Sequence, residues 1–323
     1  MNALFAGILN GINSLIQNYG WSMVIFTILM KLLVLPLNYK SRKSMRRMAE
    51  IQPEITKLQK KYANDQQKMN MKMQALYAKH KVSPMSGCLP MLISMVILII
   101  MFNAMRQVAN TNLARQTLEL LATGTQTNES WLWIKNVWMP DTPFVPYVAQ
   151  NANSLAMITE DIWKNTLGTI PAEWLPTLEG MSITADTINS TNVFNVLSQN
   201  ETWKSLQTVS MTIPTGLFGT WQVFKQNNGL FILPVLACVT QFLMSAGQNQ
   251  QQPTPDNGKG TGNFMKYFFP LITLFFCFSY NAAFALYWVV SNIYAWIETI
   301  VLNKVIEKKD NEESAVIEED GIK

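Results

Sequence analysis

Gly20-Trp21-Ser22-Met23-Val24-Ile25-Phe26-Thr27-Ile28-Leu29-Met30-Lys31-Leu32-Leu33-Val34-Leu35-Pro36-Leu37 is the stretch on which the reading of this chain turns. It approaches the roughly 20 apolar residues a helix needs to cross a bilayer core. It carries one charge, Lys31. A lysine near the centre of a membrane helix costs about 2.5 to 3.5 kcal/mol on insertion scales, so its presence calls for a reason. Lys31 lies about seven residues, on the order of 10 Å, from the expected inner end of the helix, a long reach for a snorkelling side chain. Thr27 stands one turn earlier on the same face.

The rest of the chain agrees with a membrane setting. Of 323 residues, 49% are hydrophobic and 14% charged, against roughly 25% charged in soluble domains. Beyond 20–37, four stretches have the apolarity and length of spans: 88–106, 230–246, 267–283 and 284–303. The last two meet through Tyr280-Asn281-Ala282-Ala283, with room for a tight hairpin. The single histidine, His80, excludes any site built on two imidazoles. Cys88, Cys238 and Cys277 sit apart in apolar surroundings, without the spacing of a metal or redox pair.

The cations decide orientation. Twelve of the 25 Lys and Arg fall between Lys40 and Lys81, where only Glu50, Glu54 and Asp65 oppose them. Basic connections stay in the cytoplasm, so 38–87 is expected inside, 107–229 outside, 247–266 inside and the tail 304–323 inside. The 107–229 segment carries five basic and nine acidic residues, and the tail four lysines against seven acids. Residues 1–19 lack Lys and Arg and hence the positive region of a signal peptide. Leu4, Phe5, Ile8, Leu9, Ile12, Leu15 and Ile16 recur there at helical spacing, as in a helix lying in the outer interface or in an ordinary packing helix.

From Met45 to Lys81 the pattern is amphipathic. Met48, Ile51, Ile55, Leu58 and Tyr62 are spaced 3, 4, 3, 4, a helical seam. Pro53 suits the first turn of a helix. Ala63-Asn64-Asp65 interrupts the seam, and Met69, Met73, Leu76 and His80 begin another, so an antiparallel helical hairpin is expected. Its basic faces suit anionic lipid headgroups or ribosomal RNA, or are simply solvated.

Polar residues recur inside the other spans as well. Tyr287, Ser291, Tyr294 and Glu298 fall at i, i+4, i+7 and i+11, with Asn292 beside them; Gln241, Ser245 and Gln248 repeat similarly, as do Thr273, Cys277 and Tyr280. Such stripes line a hydrated cavity or make interhelical hydrogen bonds. Glu298 is placed either to neutralise part of the Lys31 charge across the cavity or at a solvated rim. The expected fold is thus an all-α polytopic membrane protein with five transmembrane helices, a cytoplasmic helical hairpin and a polar groove.

These residues resemble the YidC/Oxa/Alb membrane protein insertases. The likeness runs from Gly20-Trp21 through the buried cation to Pro36-Leu37, then Ile51-Gln52-Pro53, Leu76-Tyr77, Pro84-Met85-Ser86-Gly87-Cys88-Leu89-Pro90, Trp133-Ile134-Lys135-Asn136-Val137 and Leu286-Tyr287-Trp288-Val289-Val290-Ser291-Asn292. The resemblance implies a non-enzymatic insertase and chaperone, without cofactor or metal, in a bacterial plasma membrane. Its groove would open to the cytoplasm and receive nascent membrane proteins, alone or beside the Sec translocon. Lys31 stands at the place of the family's groove arginine and Thr27 at a groove threonine. Tyr287, Trp288, Ser291, Asn292, Glu298 and Gln241 complete the expected substrate-binding set. A ribosome would dock on the 40–81 hairpin, anionic lipids would lie nearby, and the protein would act as a monomer.

Departures from that pattern are Lys for Arg at 31, Ser94-Met95-Val96 where the family has Gln-Met-Pro, and Ser86 for glycine. Residues 148–228 have no evident counterpart. Asn-x-Ser/Thr triplets start at Asn128, Asn189 and Asn200, and glycosylation of them is not expected in a bacterium. A solute transporter or channel is the rival reading, but it calls for an internal repeat that the chain lacks. A specialised paralogue acting as an assembly factor is a further one.

Overall fold

The computed structural model describes residues 2–80, 82, 89–215, 219–248 and 259–321. Residues 84–88 of the expected Pro84 to Pro90 motif and 249–258 of the 247–266 connection lie outside them. The chain divides into two compact units. One comprises Met1–Thr27, Ile100–Cys238 and Leu271–Val289; the other comprises Ile28–Ile99, Val239–Pro270 and Val290–Lys323.

Long helices dominate. They are α1 (Asn2–Ile16), α2 (Tyr19–Glu50), α3 (Gln52–Lys61), α4 (Gln66–Lys79) and α5 (Leu89–Thr123). After a series of short helices come α11 (Ile232–Gln248), α12 (Lys259–Ser279) and α13 (Ala282–Gly321). Many of their large apolar side chains face outward, including Leu29, Leu33, Val239, Leu271, Phe275 and Ile297. An exposed apolar surface of this extent marks contact with something other than water. Among the described residues α2 and α13 are long and apolar enough to cross a bilayer, and α11 and α12 carry shorter apolar stretches, so the contact is with lipid.

Several expected boundaries shift. Helix α2 runs through Pro36 to Glu50 instead of ending at 37, although an internal proline forfeits a backbone hydrogen bond and costs about 3 kcal/mol. Hydrophobicity ends near Leu37; helicity does not. Helix α5 continues past 106 to Thr123. The break between the last two helices falls at Tyr280-Asn281, where the Asn281 side chain accepts the Phe284 N–H at 2.9 Å.

In the first unit, the long segment expected as an outer loop folds. It contains α6 (Ala152–Leu155), α7 (Glu160–Leu167), α8 (Leu175–Gly180), α9 (Ser190–Leu197) and α10 (Glu201–Leu206). These close over the C-terminal half of α5 through Leu113, Leu118, Leu121, Leu155, Trp163 and Leu178. Trp163 is wholly buried, and its indole N–H donates to Ser190 Oγ at 3.0 Å. The all-α expectation needs one correction. Strands β1 (Val209–Pro214) and β2 (Thr220–Phe224) pair as an antiparallel ribbon.

A buried polar knot ties this segment to the start of α11. Asp141 is fully buried; its Oδ1 accepts the Leu230 N–H (2.9 Å) and its Oδ2 the N–H groups of Leu233 (2.7 Å) and the Trp133 indole (3.2 Å). Asn228 accepts the Asn136 N–H and donates to the carbonyls of Asn136, Met139 and Pro140. Gly229 permits the approach, because a Cβ there would overlap the Asp141 carboxylate. Gly20 plays the same part on α2, where a Cβ would enter the Trp131 ring.

In the second unit, α3 and α4 pack on Ile51, Ile55, Leu76 and Val82, flanked by Met48, Leu58, Met73 and Tyr77. Pro53 lies in the first turn of α3, and Asp65 caps α4 by accepting the Lys68 N–H at 2.9 Å. His80 ends α4 with its Nε2 3.6 Å from a Glu54 carboxylate oxygen. It is therefore a neighbour of α3 rather than a seam residue.

Candidate functional site

The residues singled out from sequence fall in both units. Thr27, Tyr287 and Trp288 belong to the first; Lys31, Gln241, Ser291, Asn292 and Glu298 belong to the second.

In the second unit, Lys31 is half-buried on α2. Its helical face continues at i+7 and i+11 into Asn38 and Arg42, and both meet α13. Asn38 Nδ2 donates to Glu298 Oε1 at 2.9 Å, and Arg42 Nη2 donates to Thr299 Oγ1 at 2.5 Å. Glu298 is only 7% exposed. Burying a carboxylate is tolerated where donors and cations face it. Asn38 is that donor, and the charges of Lys31 and Arg42 both interact with Glu298.

The expected neutralisation of Lys31 by Glu298 is not made through a direct pair. Among the described residues, no ion pair within 4.0 Å joins them. Glu298 stands level with Asn38, the first residue beyond the expected span 20–37. Asn38 and Arg42 were missed because the apolar run ends at Leu37; the signal that would have found them is their helical spacing from Lys31.

Around Asn292 the wall is polar and closed. Asn292 Nδ2 donates to Thr240 Oγ1 at 3.3 Å, and Asn292, Thr240 and Gln241 are all buried. Ser245 Oγ donates to the Gln241 carbonyl at 2.8 Å, while Ser291 is half-buried. Further along, Arg46 Nε pairs with Asp310 at 3.3 Å and Lys309 lies over the Tyr39 ring at 5.5 Å. Two cations of the basic end of α2, Arg42 and Arg46, thus meet α13.

In the first unit, Thr27 is fully buried and its hydroxyl donates to the Met23 carbonyl at 2.7 Å. That leaves its oxygen lone pairs to accept from another group. Tyr287 is buried, and the half-buried Trp288 ring lies 5.6 Å from Phe284.

A family model described as the 60Kd inner membrane protein matches residues 11–187 and 191–310. This chain belongs to that family. The matched residues take in nearly all of 148–228, so the segment expected to lack a counterpart lies within the 60Kd inner membrane protein match. Among relatives, a "Membrane protein insertase YidC" of Fusobacterium nucleatum is 43% identical over 106 residues, covering 33% of this chain and 52% of that protein. One from Clostridium perfringens is 39% identical over 128 residues, covering 39% and 48%. One from Anaeromyxobacter dehalogenans is 34% identical over 159 residues, covering 48% and 26%. The chain therefore matches between about a quarter and a half of the length of these relatives.

Proposed function

We propose that this protein is a membrane protein insertase and chaperone. It receives hydrophilic parts of nascent integral membrane proteins in a cytoplasm-open groove and releases their apolar segments sideways into lipid. Five spans, carried on α2, α5, α11, α12 and α13, would surround the groove, with the N-terminus outside and the C-terminus in the cytoplasm. Lys31, Thr27, Gln241, Tyr287, Trp288, Ser291, Asn292 and Glu298 would contact the substrate or shape its path. The groove works by binding and release, without bond-making chemistry, nucleotide or metal.

The observation that carries this reading is the half-buried Lys31, in an apolar stretch, on a helical face that continues into Asn38 and Arg42. A cation in low dielectric attracts acidic residues far more strongly than one in water. An acidic segment entering from the cytoplasm gains that attraction, and an apolar segment gains nothing by staying. The relatives named as membrane protein insertases support the same reading. The Sec translocon and a ribosome docked on the 40–81 hairpin are the expected partners, with anionic lipids at the basic faces and a monomer as the working state.

The test is complementation of an insertase-depleted bacterium, combined with photocrosslinkers at 27, 31, 287 and 292 and a stalled single-span substrate. Crosslinks to the nascent chain and restored growth are expected. Growth without crosslinks would move the substrate path elsewhere. Uptake of a small solute by the purified protein in liposomes, with neither of the other results, would replace the reading with transport.

A further inference from the structure

Met211 pairs with Val223 and Ile213 with Trp221 across the β1–β2 ribbon, whereas Thr212 pairs with Gln222 and Pro214 with Thr220. Directly paired residues of an antiparallel ribbon share a face, so one face is apolar and the other largely polar. The apolar face is not folded onto the core. Met211 is 54% exposed and Trp221 43%, and Ile213 and Val223 are half-buried. Phe224, at the base of the ribbon, is buried. No charged residue occurs from Val209 to Phe224.

The ribbon also has a neighbour that explains the uncovered face. The Trp221 ring is stacked on Phe278 near the end of α12, with centroids 6.2 Å apart and planes at 21°. Phe144 lies edge-on to Trp221 at 4.7 Å, and Phe231 to Phe278 at 5.5 Å. Phe275, three residues before Phe278 and on the same side of α12, points outward. The apolar face of the ribbon therefore continues a surface that, on an apolar membrane helix, faces lipid.

An isolated two-stranded ribbon is marginal in water, and an exposed apolar patch marks a contact surface. The unpaired backbone groups along both ribbon edges exclude the hydrocarbon core itself. The layer that accepts an apolar face, a tryptophan and wet edges together is the headgroup boundary.

We propose that the β1–β2 ribbon is an interfacial membrane anchor. Met211, Ile213, Trp221 and Val223 rest on the headgroup and acyl boundary beside the C-terminal end of α12, and Thr212, Thr220 and Gln222 turn to water. Lipid is the occupant because the ribbon offers no charge for a polar partner and its apolar face runs on from the lipid-facing side of α12. This rests on the membrane location of the family and not on the insertase reading, and no insertion assay enters its test.

Hydroxyl-radical footprinting of the unmodified full chain tests it, in phosphatidylcholine–phosphatidylglycerol nanodiscs holding one copy each. Met157 and Met211 are 59% and 54% exposed, so water alone would oxidise both at similar rates. A severalfold slower oxidation of Met211 than of Met157 is expected; equal rates overturn the proposal. Cysteine substitutions at 211, 212, 222 and 223, in a chain with its native cysteines replaced by alanine and each labelled with an environment-sensitive fluorophore, identify the cover. Doxyl-lipid should quench the label at 211 and 223 and leave 212 and 222 bright. Protection of Met211 without lipid quenching at 211 and 223 would make protein the cover and also overturn the proposal.

Discussion

Asp141 shows how much one side chain can hold. Its two oxygens take three N–H donors in a site without exposure, and two of those donors open the path into α11. A buried donor left unmatched costs about 1 to 3 kcal/mol. Asp141→Ala strands three, so we expect a stability loss of at least about 3 kcal/mol by thermal unfolding in detergent. Asp141→Asn keeps one carbonyl acceptor and should lose less; an unchanged melting point for both would dismiss the knot. Glu129 behaves differently. Burial raises its carboxyl pKa, and the Arg115 charge only partly opposes this. A raised folded-state pKa adds stability below the ordinary carboxylate range that is lost as pH rises through the raised value. Melting of the wild-type chain should therefore fall over that window, and Glu129→Gln should flatten the slope. An identical slope in both would contradict the assignment. Lys31 and Thr27 stand out in the sequence because a polar atom in an apolar run is conspicuous. Asp141 does not, since nothing in its neighbourhood announces that it is buried.

At the scale of elements, strong periodicity was readable and weak periodicity was not. The 3, 4, 3 spacing of Met48, Ile51, Ile55 and Leu58 is a real packing surface, with Ile51 and Ile55 set against Leu76, while Tyr62 falls outside that cluster. The short helices of the 148–228 segment have four to eight residues each, barely two turns in which a face could repeat. Their signal lay in their caps instead. Asn189 and Asn200, which begin Asn-x-Ser/Thr triplets, are N-caps whose side chains accept the N–H groups of Asn192 (2.9 Å) and Trp203 (3.0 Å). An N-cap asparagine replaced by alanine costs about 1 kcal/mol. Asn189→Ala should lower the stability of this segment by that amount in denaturant titration, and Asn189→Asp should restore most of it. Equal loss in both variants would remove the capping role. Pro36 misled in the opposite direction. It coincides with the end of the apolar run, but the helix continues because Asn38, Arg42 and Arg46 all find partners on α13.

For the molecule as a whole, a net charge of +4 says little. Its distribution says more: cations concentrated in 40–81, an acidic excess in 107–229 and in the tail, and one lysine inside the first apolar stretch. That pattern made a helical membrane protein legible from sequence, and membership of the 60Kd inner membrane protein family accords with it. The folded 148–228 segment was beyond that reading, because its tertiary contacts join Leu113 on α5 to Leu178 and Leu197 far along the chain. The proposed pull of the groove on its substrate is electrostatic. If Lys31 attracts acidic residues of the incoming chain, its removal must discriminate between substrates. The decisive measurement is insertion of two single-span substrates that differ only in whether the translocated segment is acidic or neutral, through wild-type, Lys31→Ala and Lys31→Glu protein. Lys31→Ala should cost the acidic substrate about 1 kcal/mol, roughly fivefold, Lys31→Glu should cost it more, and the neutral substrate should change little. Equal effects on both substrates would contradict this attraction.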